Sequence, residues 1–468
     1  MPSAPHHREA PPDLARDPTS PTSRRKAPLR RLMHAAFVNR DFGLLWWGQA
    51  ISSVGDYAWD TALVLWIATA LARRQSWAPL AVSGVILAAA IPQIAAGPIA
   101  GVFVDRWDTR RTMLGSASLQ AVAAVVLLAP TGAVSLPVIG RPQLPVIWQL
   151  AFIYADVAFI ATCAQFFQPA QLAMIKDIVP PQKEDYALQT SQAIQGLAII
   201  VGPPLAAALV FGLGFDWALL LDAASFVVVC VAIRAIKVPP ELRAVVSGQG
   251  RHFAREFGAG LRYVWSHRVL RTILISEALT WLGFGSLQTL GYFFITENLH
   301  APPGDYGMLG ADFGAGSIIG ALLVTVIGHR VGLARLLWIV LVASGMFVTV
   351  MSHLTSLGPA LVAAFLFGVS AAAILVTAGP LALRATRREF VGRVTAVINP
   401  AGRLAALLSI VAAGLLVSTV LRGIHLSVLG ISFGPVDTVL TGTGLLAIAG
   451  GLYARKNLRG AAPLSGDG

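Results

Sequence analysis

Charged residues are what this chain of 468 residues has least of: Asp, Glu, Lys and Arg make up 12% of it, against about a quarter in ordinary soluble domains. With 56% hydrophobic residues and a mean hydropathy of +0.69, the chain has too little polar surface to be a water-soluble globule, and it is expected to be dissolved in lipid. Cysteine is nearly absent. Cys163 and Cys230 stand in apolar runs without paired spacing, which argues against a disulfide framework or a cysteine-based metal site and leaves them as small core residues. Lysine is scarce too, five against thirty arginines, a bias that fits a GC-rich bacterial genome. No Gly-x-x-x-x-Gly-Lys-Ser/Thr loop occurs, so the chain is not a primary ATP-driven pump on its own. His-Glu-x-x-His and Gly-x-Ser-x-Gly are also missing, and neither enzyme chemistry, a metal nor a cofactor is expected.

What is abundant is long apolar sequence. A helix needs roughly 20 apolar residues to cross about 30 Å of hydrocarbon. Twelve stretches qualify: 42–72, 79–104, 113–130, 145–170, 187–212, 217–237, 270–296, 305–328, 334–352, 358–383, 394–420 and 436–454. An even number of spans puts both termini on one side, and the basic residues choose the side. Thirty of the 35 Lys and Arg fall on the side of the termini, and four (Arg73, Arg74, Arg141, Arg422) on the other, with Arg403 inside a span. Basic loops stay in the cytoplasm, so both termini are expected to be cytoplasmic in a bacterial inner membrane. The same distribution accounts for the +12 net charge without nucleic acid, while leaving the arginine-rich tail free to touch anionic lipid.

The chain thus divides six plus six. Residues 1–41 read as a disordered basic tail, 42–237 as a first six-helix bundle, 238–269 as a cytoplasmic linker, 270–454 as a second bundle and 455–468 as a cytoplasmic C-terminal tail. No cleavable signal peptide is visible. Within the linker, Phe253, Phe257, Leu261 and Val264 recur at helical spacing, which predicts an amphipathic helix on the membrane surface.

Between the second and third spans stands Gly101-Val-Phe-Val-Asp105-Arg106-Trp107-Asp108-Thr109-Arg110-Arg111. It resembles the Gly-x-x-x-Asp-Arg-x-Gly-Arg-Arg signature of the major facilitator superfamily, with Asp108 in place of the second glycine and Thr109 in place of a basic residue. Further likeness lies in Gly48-Gln49-x-x-Ser52-x-x-Gly55-Asp56, in Phe167-x-Pro169-Ala170 with Val179-Pro180, and in Gly307-x-Leu309-x-Ala311 with Gly314-x-Gly316-x-x-x-Gly320. These resemble the branch of bacterial drug and siderophore exporters that includes macrolide-efflux proteins and enterobactin exporters. The resemblance implies an all-α membrane fold of two pseudo-symmetric six-helix halves. It also implies that Gly101, Asp105, Arg106, Arg110 and Arg111 form a conformational latch, engaging the start of the eleventh span near Arg388 or Arg393. The second-half counterpart, Gly328-His329-Arg330-Val331-Gly332-Leu333-Ala334-Arg335, lacks the acid. Gly196 and Gly202-Pro203-Pro204 resemble the Gly-Pro motif of antiporters, and would pack the fifth span closely against the eighth.

Charges deep in a span are costly and therefore functional candidates. Asp56 and Asp60 share one face of the first helix, with Asp56 roughly 20 Å along it. Two neighbouring carboxylates in a poorly solvated cavity do not easily both ionise, so the pair is the candidate proton-coupling site. Arg403 needs an acidic partner, with Asp56, Asp60 and Glu277 available, or an anionic group on the substrate. Asp156 is read as a substrate or proton-relay residue, or as a hydrogen-bonding residue of its helix. Asp222 and Asp312 are read as hydrated groups near the outer ends of their spans, and Glu277 as a gate or ion-pair residue. Tyr57, Trp59 and Trp281 are the aromatic candidates for a substrate cavity, whereas Trp46 and Trp47 fit an interfacial belt. The expected activity is proton-coupled export of a small amphiphilic molecule by a monomer, its partners being the substrate, protons and lipid. An importer or lipid transporter on the same scaffold, or a membrane sensor that does not transport, are the alternatives.

Overall fold

A computed structural model describes residues 38–104, 106–128, 145–236, 253–423, 426–428 and 431–458. The first span is α1 (Arg40–Trp66), continued by a π-helical turn, Ile67–Leu71. Asn39 caps it, its side chain accepting a 2.7 Å hydrogen bond from the Phe42 N–H. The second span is broken into α2 (Ala78–Ala95) and α3 (Gly97–Val104), where one continuous helix is expected from hydropathy. The reason is local: Pro98 has no N–H to carry the helical ladder across the joint at Ala96. The first half is completed by α4 (Thr109–Val126), α5 (Val146–Ile178), α6 (Glu184–Gly212) and α7 (Phe215–Ala235).

A linker helix, α8 (Phe253–Ser266), precedes the second half, which is built from α9 (Arg268–Phe293), α10 (Tyr306–Val331), α11 (Leu333–Ser352), α12 (Leu357–Arg384), α13 (Val391–Leu415) and α14 (Pro435–Leu458). Like α1, α9 and α13 end in π-helical turns, Phe294–Asn298 and Leu416–Val420. Between α13 and α14, β1 (Leu426–Val428) pairs antiparallel with β2 (Ile431–Phe433), a ribbon that hydropathy does not announce. Among the described residues nine helices are individually long and apolar enough to span a bilayer. The other three of the twelve spans, α1, α4 and α9, carry Asp56 and Asp60, Arg110 and Arg111, and Arg268, Arg271 and Glu277 respectively.

Hydrophobic burial is organised differently at the two faces of the bundle. At the N-terminal face, where α1 begins and α14 ends, each half has its own core: Phe42, Met113, Met174 and Ile233 in the first, Leu270, Leu337, Leu381 and Leu458 in the second. At the opposite, far face one core runs through both halves, joining Leu63, Val82 and Phe215 to Phe294, Ala364, Val417 and Val436. The main crossings between the halves are α6 with α10 and α2 with α13, and α2 also touches α9. The halves are therefore closed on each other at the far face and part toward the N-terminal face.

The linker helix, expected to be amphipathic, turns part of its apolar face onto the second half. Val264 is fully buried, Tyr263 stacks on Phe390 at 4.3 Å, and Gly260 abuts the Arg393 carbonyl, so α8 docks on the start of α13. Leu261, assigned to the apolar face by spacing, is exposed, and the Phe253 side chain is outside the described residues. The tail up to residue 37, the linker from 237 to 252 and residues 459–468 also lie outside them.

Candidate substrate cavity and carboxylate cluster

Beneath the closed far face, a cavity of about 310 Å³ lies between the halves. Its polar lining is Tyr57, Asp60 and Thr61 from α1, Gln288 from α9 and Tyr306 from α10, and no Lys or Arg is among the described residues that line it. The charge of Asp60 acts on both Tyr57 and Tyr306, so the two halves present their polar groups to the same space. Opposite stands an aromatic cluster that sequence reasoning missed. Phe284 of α9, Phe313 of α10 and Phe367 of α12 meet pairwise at 5.6, 5.7 and 5.5 Å between ring centroids. An apolar wall facing one carboxylate and two phenols suits an amphiphile with a polar or cationic end.

Behind Asp60 the acids multiply. Asp56 lies one turn away on the same face of α1, and both carboxylates are accessible. Asp222 of α7 is 1% exposed, with hydrogen-bond partners for neither carboxylate oxygen among the described residues. It lies against α1: a Cβ at Gly55 would stand 3.1 Å from Asp222 Oδ1 and 2.8 Å from Ser225 Oγ, so only glycine admits this approach. Asp156 of α5 is also buried, and its Oδ2 lacks a partner. The charges of Asp56, Asp60 and Asp156 all act on Asp222. Three helices of one half thus gather four carboxylates. The hydrated outer-end position read for Asp222 is corrected by its burial, because α1 and the body of α7 cover it.

Three other candidates stand elsewhere. Trp59 is 4% exposed and stacks with Phe215, which stacks in turn on Trp66, so it fills the interior of the first half and does not line the cavity. Trp281 is wedged between α9 and α13, where a Cβ at Gly402 would meet its ring at 2.8 Å. Arg403 is exposed and has no hydrogen bond or ion pair among the described residues, so the acidic partner expected for it is absent. The geometry supplies the reason. Arg403 shares a helix face with Ile410, which contacts α2, but lies about 10 Å nearer the N-terminal face, where the halves have parted.

Residues 45–410 match the profile of the Major Facilitator Superfamily. The chain belongs to that family. It is similar to macrolide efflux protein A of Streptococcus pyogenes, 24% identical over 62% of this chain and 67% of that protein. It is also similar to the multidrug efflux pump Tap of Mycolicibacterium fortuitum, 26% identical over 77% and 86%. Among solved structures, a bacterial homologue of the iron transporter ferroportin superposes with a TM-score of 0.67 at 15% identity, covering 90% of this chain and 98% of the other. The nucleoside transporter NupG superposes with 0.68 at 10% identity over 89% and 99%. The chain is therefore a multi-pass membrane transporter and not an enzyme, with relatives in the drug-efflux branch.

In this facilitator the described part of the signature loop works within the first half. Arg110 donates from Nε to the Ile233 carbonyl at 3.2 Å and from Nη2 to the Arg234 carbonyl at 2.6 Å, placing a cation on the C-terminus of α7. Asp108, the departure from the glycine of the signature, caps α4 by accepting from the Arg111 N–H at 2.9 Å. Gly101 belongs to α3, and the side chains of Arg106 and Arg111 are exposed. Asp105 lies outside the described residues, as does the Arg388 side chain, while Arg393 sits 5.2 Å over the Phe390 ring.

At the crossing of α6 and α10, a Cβ at Gly307 would come within 2.6 Å of the Pro203 carbonyl oxygen, Gly310 faces the Pro203 ring, and Gly196 faces Ile318. Gly202 turns the other way, against Tyr57 and the Ala58 backbone of α1. The Gly-Pro segment therefore serves two contacts, one within its half and one between halves.

Proposed function

We propose that this transporter exports a small amphiphilic molecule, such as a drug, antibiotic or siderophore, in exchange for protons. The observation that carries the reading is Asp60: an accessible carboxylate with no Lys or Arg beside it among the described residues, on the wall of a cavity that both halves build. Protons and substrate can then compete for one space, which is what antiport requires. The likeness to drug-efflux relatives supports export, and the excess of Lys and Arg on the side of the termini supports a cytoplasmic N-terminal face. With that orientation the conformation is inward-facing, ready to take substrate from the cytoplasm or the inner leaflet.

Alternation follows from two separable cores at one face and one shared core at the other. Rocking the halves about the α6–α10 and α2–α13 crossings opens the far face and closes the N-terminal face, where Asp105 and Arg106 of the signature loop latch the start of α13 near Arg388 or Arg393, while Arg110 stays on the end of α7. The experiment is export of a panel of cationic and neutral dyes from cells, with and without a proton uncoupler, beside Asp56→Asn and Asp60→Asn. Loss of uncoupler-sensitive export in normally expressed variants supports the reading. Unchanged proton dependence in both variants overturns the coupling assignment.

A further inference from the structure

Asp222 stands outside the cavity lining and has no assigned role, yet its surroundings are unusual. Both oxygens are buried without a hydrogen-bond partner among the described residues, and the side chain is aimed at Gly55, next to Asp56. The charged groups that act on it are Asp56 and Asp60 of α1 and Asp156 of α5, all acids. The other helices packed on α7 bring no counter-charge to this level. On α4, Arg110 and Arg111 lie near the N-terminal face, as do Glu184, Asp185 and Tyr186 on α6, while Asp216 is nearer the far face on α7 itself.

An ionised carboxylate in that position has neither a cation nor a donor among the described residues to offset its loss of water, and its charged neighbours, Asp56, Asp60 and Asp156, are all acids. A neutral carboxylic acid there avoids both costs. Asp222 approaches α1 at Gly55, the residue beside Asp56, so a change of charge on Asp56 acts on it across a short, poorly solvated gap.

We propose that Asp222 is a second proton-binding site, linked to Asp56 across the α1–α7 contact. Its role in transport rests on the proton-antiport reading, whereas its occupancy by a proton does not. Asp60 exchanges protons with the cavity, Asp56 lies one turn behind it, and Asp222 is the interior store that responds when they change charge. A structural role accounts poorly for the residue, since neither oxygen of its carboxylate has a hydrogen-bond partner among the described residues.

The test is infrared titration of the purified full-length protein, following the carbonyl band of protonated carboxyl groups, in wild type, Asp222→Asn and Asp56→Asn. The substitutions are nearly isosteric, so a merely structural carboxylate would leave the titration of the remaining groups unmoved. The proposal expects Asp222→Asn to remove intensity from the band and to move the midpoint of what remains by about one pH unit. Should Asp222→Asn fail to fold, Asp222→Glu keeps the carboxyl group and must displace its band. A band and midpoint identical to wild type in the folded variant overturn the proposal. If Asp56→Asn changes the titration and abolishes proton-dependent export while Asp222→Asn changes neither, this inference falls and the antiport reading stands. If Asp222→Asn alters the titration while export proves independent of protons, the antiport reading falls and the site stands.

Discussion

The Ser83 hydroxyl of α2 shares its one proton between the Ile410 carbonyl of α13 at 2.9 Å and the Pro79 carbonyl of its own helix at 3.0 Å, tying the two halves together at the far face. One turn further along α13, Gly414 sits against the Pro79 carbonyl and the Ser83 side chain, so the helices touch backbone to backbone. Removing the hydrogen bond alone, in Ser83→Ala, is expected to weaken the closed far face by about 1 kcal/mol. Gly414→Leu drives a side chain into the contact and is expected to open the far face substantially. A cysteine at Val417, placed in a background with Cys163 and Cys230 replaced by Ala, reports the change through an impermeant thiol reagent. Labelling is expected to rise slightly with Ser83→Ala and strongly with Gly414→Leu.

The α6–α10 crossing is expected to be equally intolerant. At Gly307 a Cβ would lie 2.6 Å from the Pro203 carbonyl oxygen, a backbone atom that cannot swing aside. Gly307→Ala is expected to cost about 1–3 kcal/mol of stability through overpacking. Its Tm in detergent should fall, with a larger loss for Gly307→Val. Gly212, with nothing within 4 Å of its would-be Cβ, is the control whose substitution by Ala leaves Tm nearly unchanged.

In the cavity, the aromatic cluster should contribute more to substrate binding than its distance from Asp60 suggests. Phe284 touches Trp281, Phe313 and Phe367, and Phe284→Ala removes three ring contacts together with a part of the cavity wall. Losing one aromatic contact to the dye, about 0.5–1.5 kcal/mol, is expected to lower its apparent affinity severalfold to roughly tenfold. KM measured in dye-export assays checks this, with the proton dependence unaffected.

Arg110 joins α4 to the last carbonyls of α7. Arg110→Gln loses the charge at that helix terminus, and is expected to lower stability by about 1–2 kcal/mol. Thermal unfolding in detergent measures it. Lys at the same position is expected to recover only part of the loss, because it cannot reach two carbonyls with a fixed fork.

How much of this was legible in sequence depended on the range of the interaction. Span positions follow from local composition, and the helices begin and end within a few residues of the hydropathy limits for most of them. The break at Ala96 is local too, since Pro98 lies beside it, but long apolar runs conceal such joints. Asp56 and Asp60 stand out because they are charged, whereas Asp222 needed its neighbours: only the α1–α7 contact at Gly55 turns it from an end-of-helix acid into a buried one. Phe284, Phe313 and Phe367 look like ordinary core residues until three helices bring them together. Trp59 misled in the opposite direction, because one face of α1 lines the cavity while the adjacent face packs on Phe215. Arg403 draws its expected partner from a chemical rule that holds for a closed protein, and the parted N-terminal face relieves it of that need.

The central claim, that carboxylates on α1 couple protons to export, is tested most directly in liposomes containing the purified protein. An imposed pH gradient is applied across the membrane, and both internal pH and movement of an exported dye are followed. The account predicts gradient-driven dye movement with matching proton flux in wild type, and loss of both in Asp56→Asn and Asp60→Asn variants that still bind the dye. Dye accumulation against its gradient with no dependence on the pH gradient, or undiminished coupling in both variants, would contradict it.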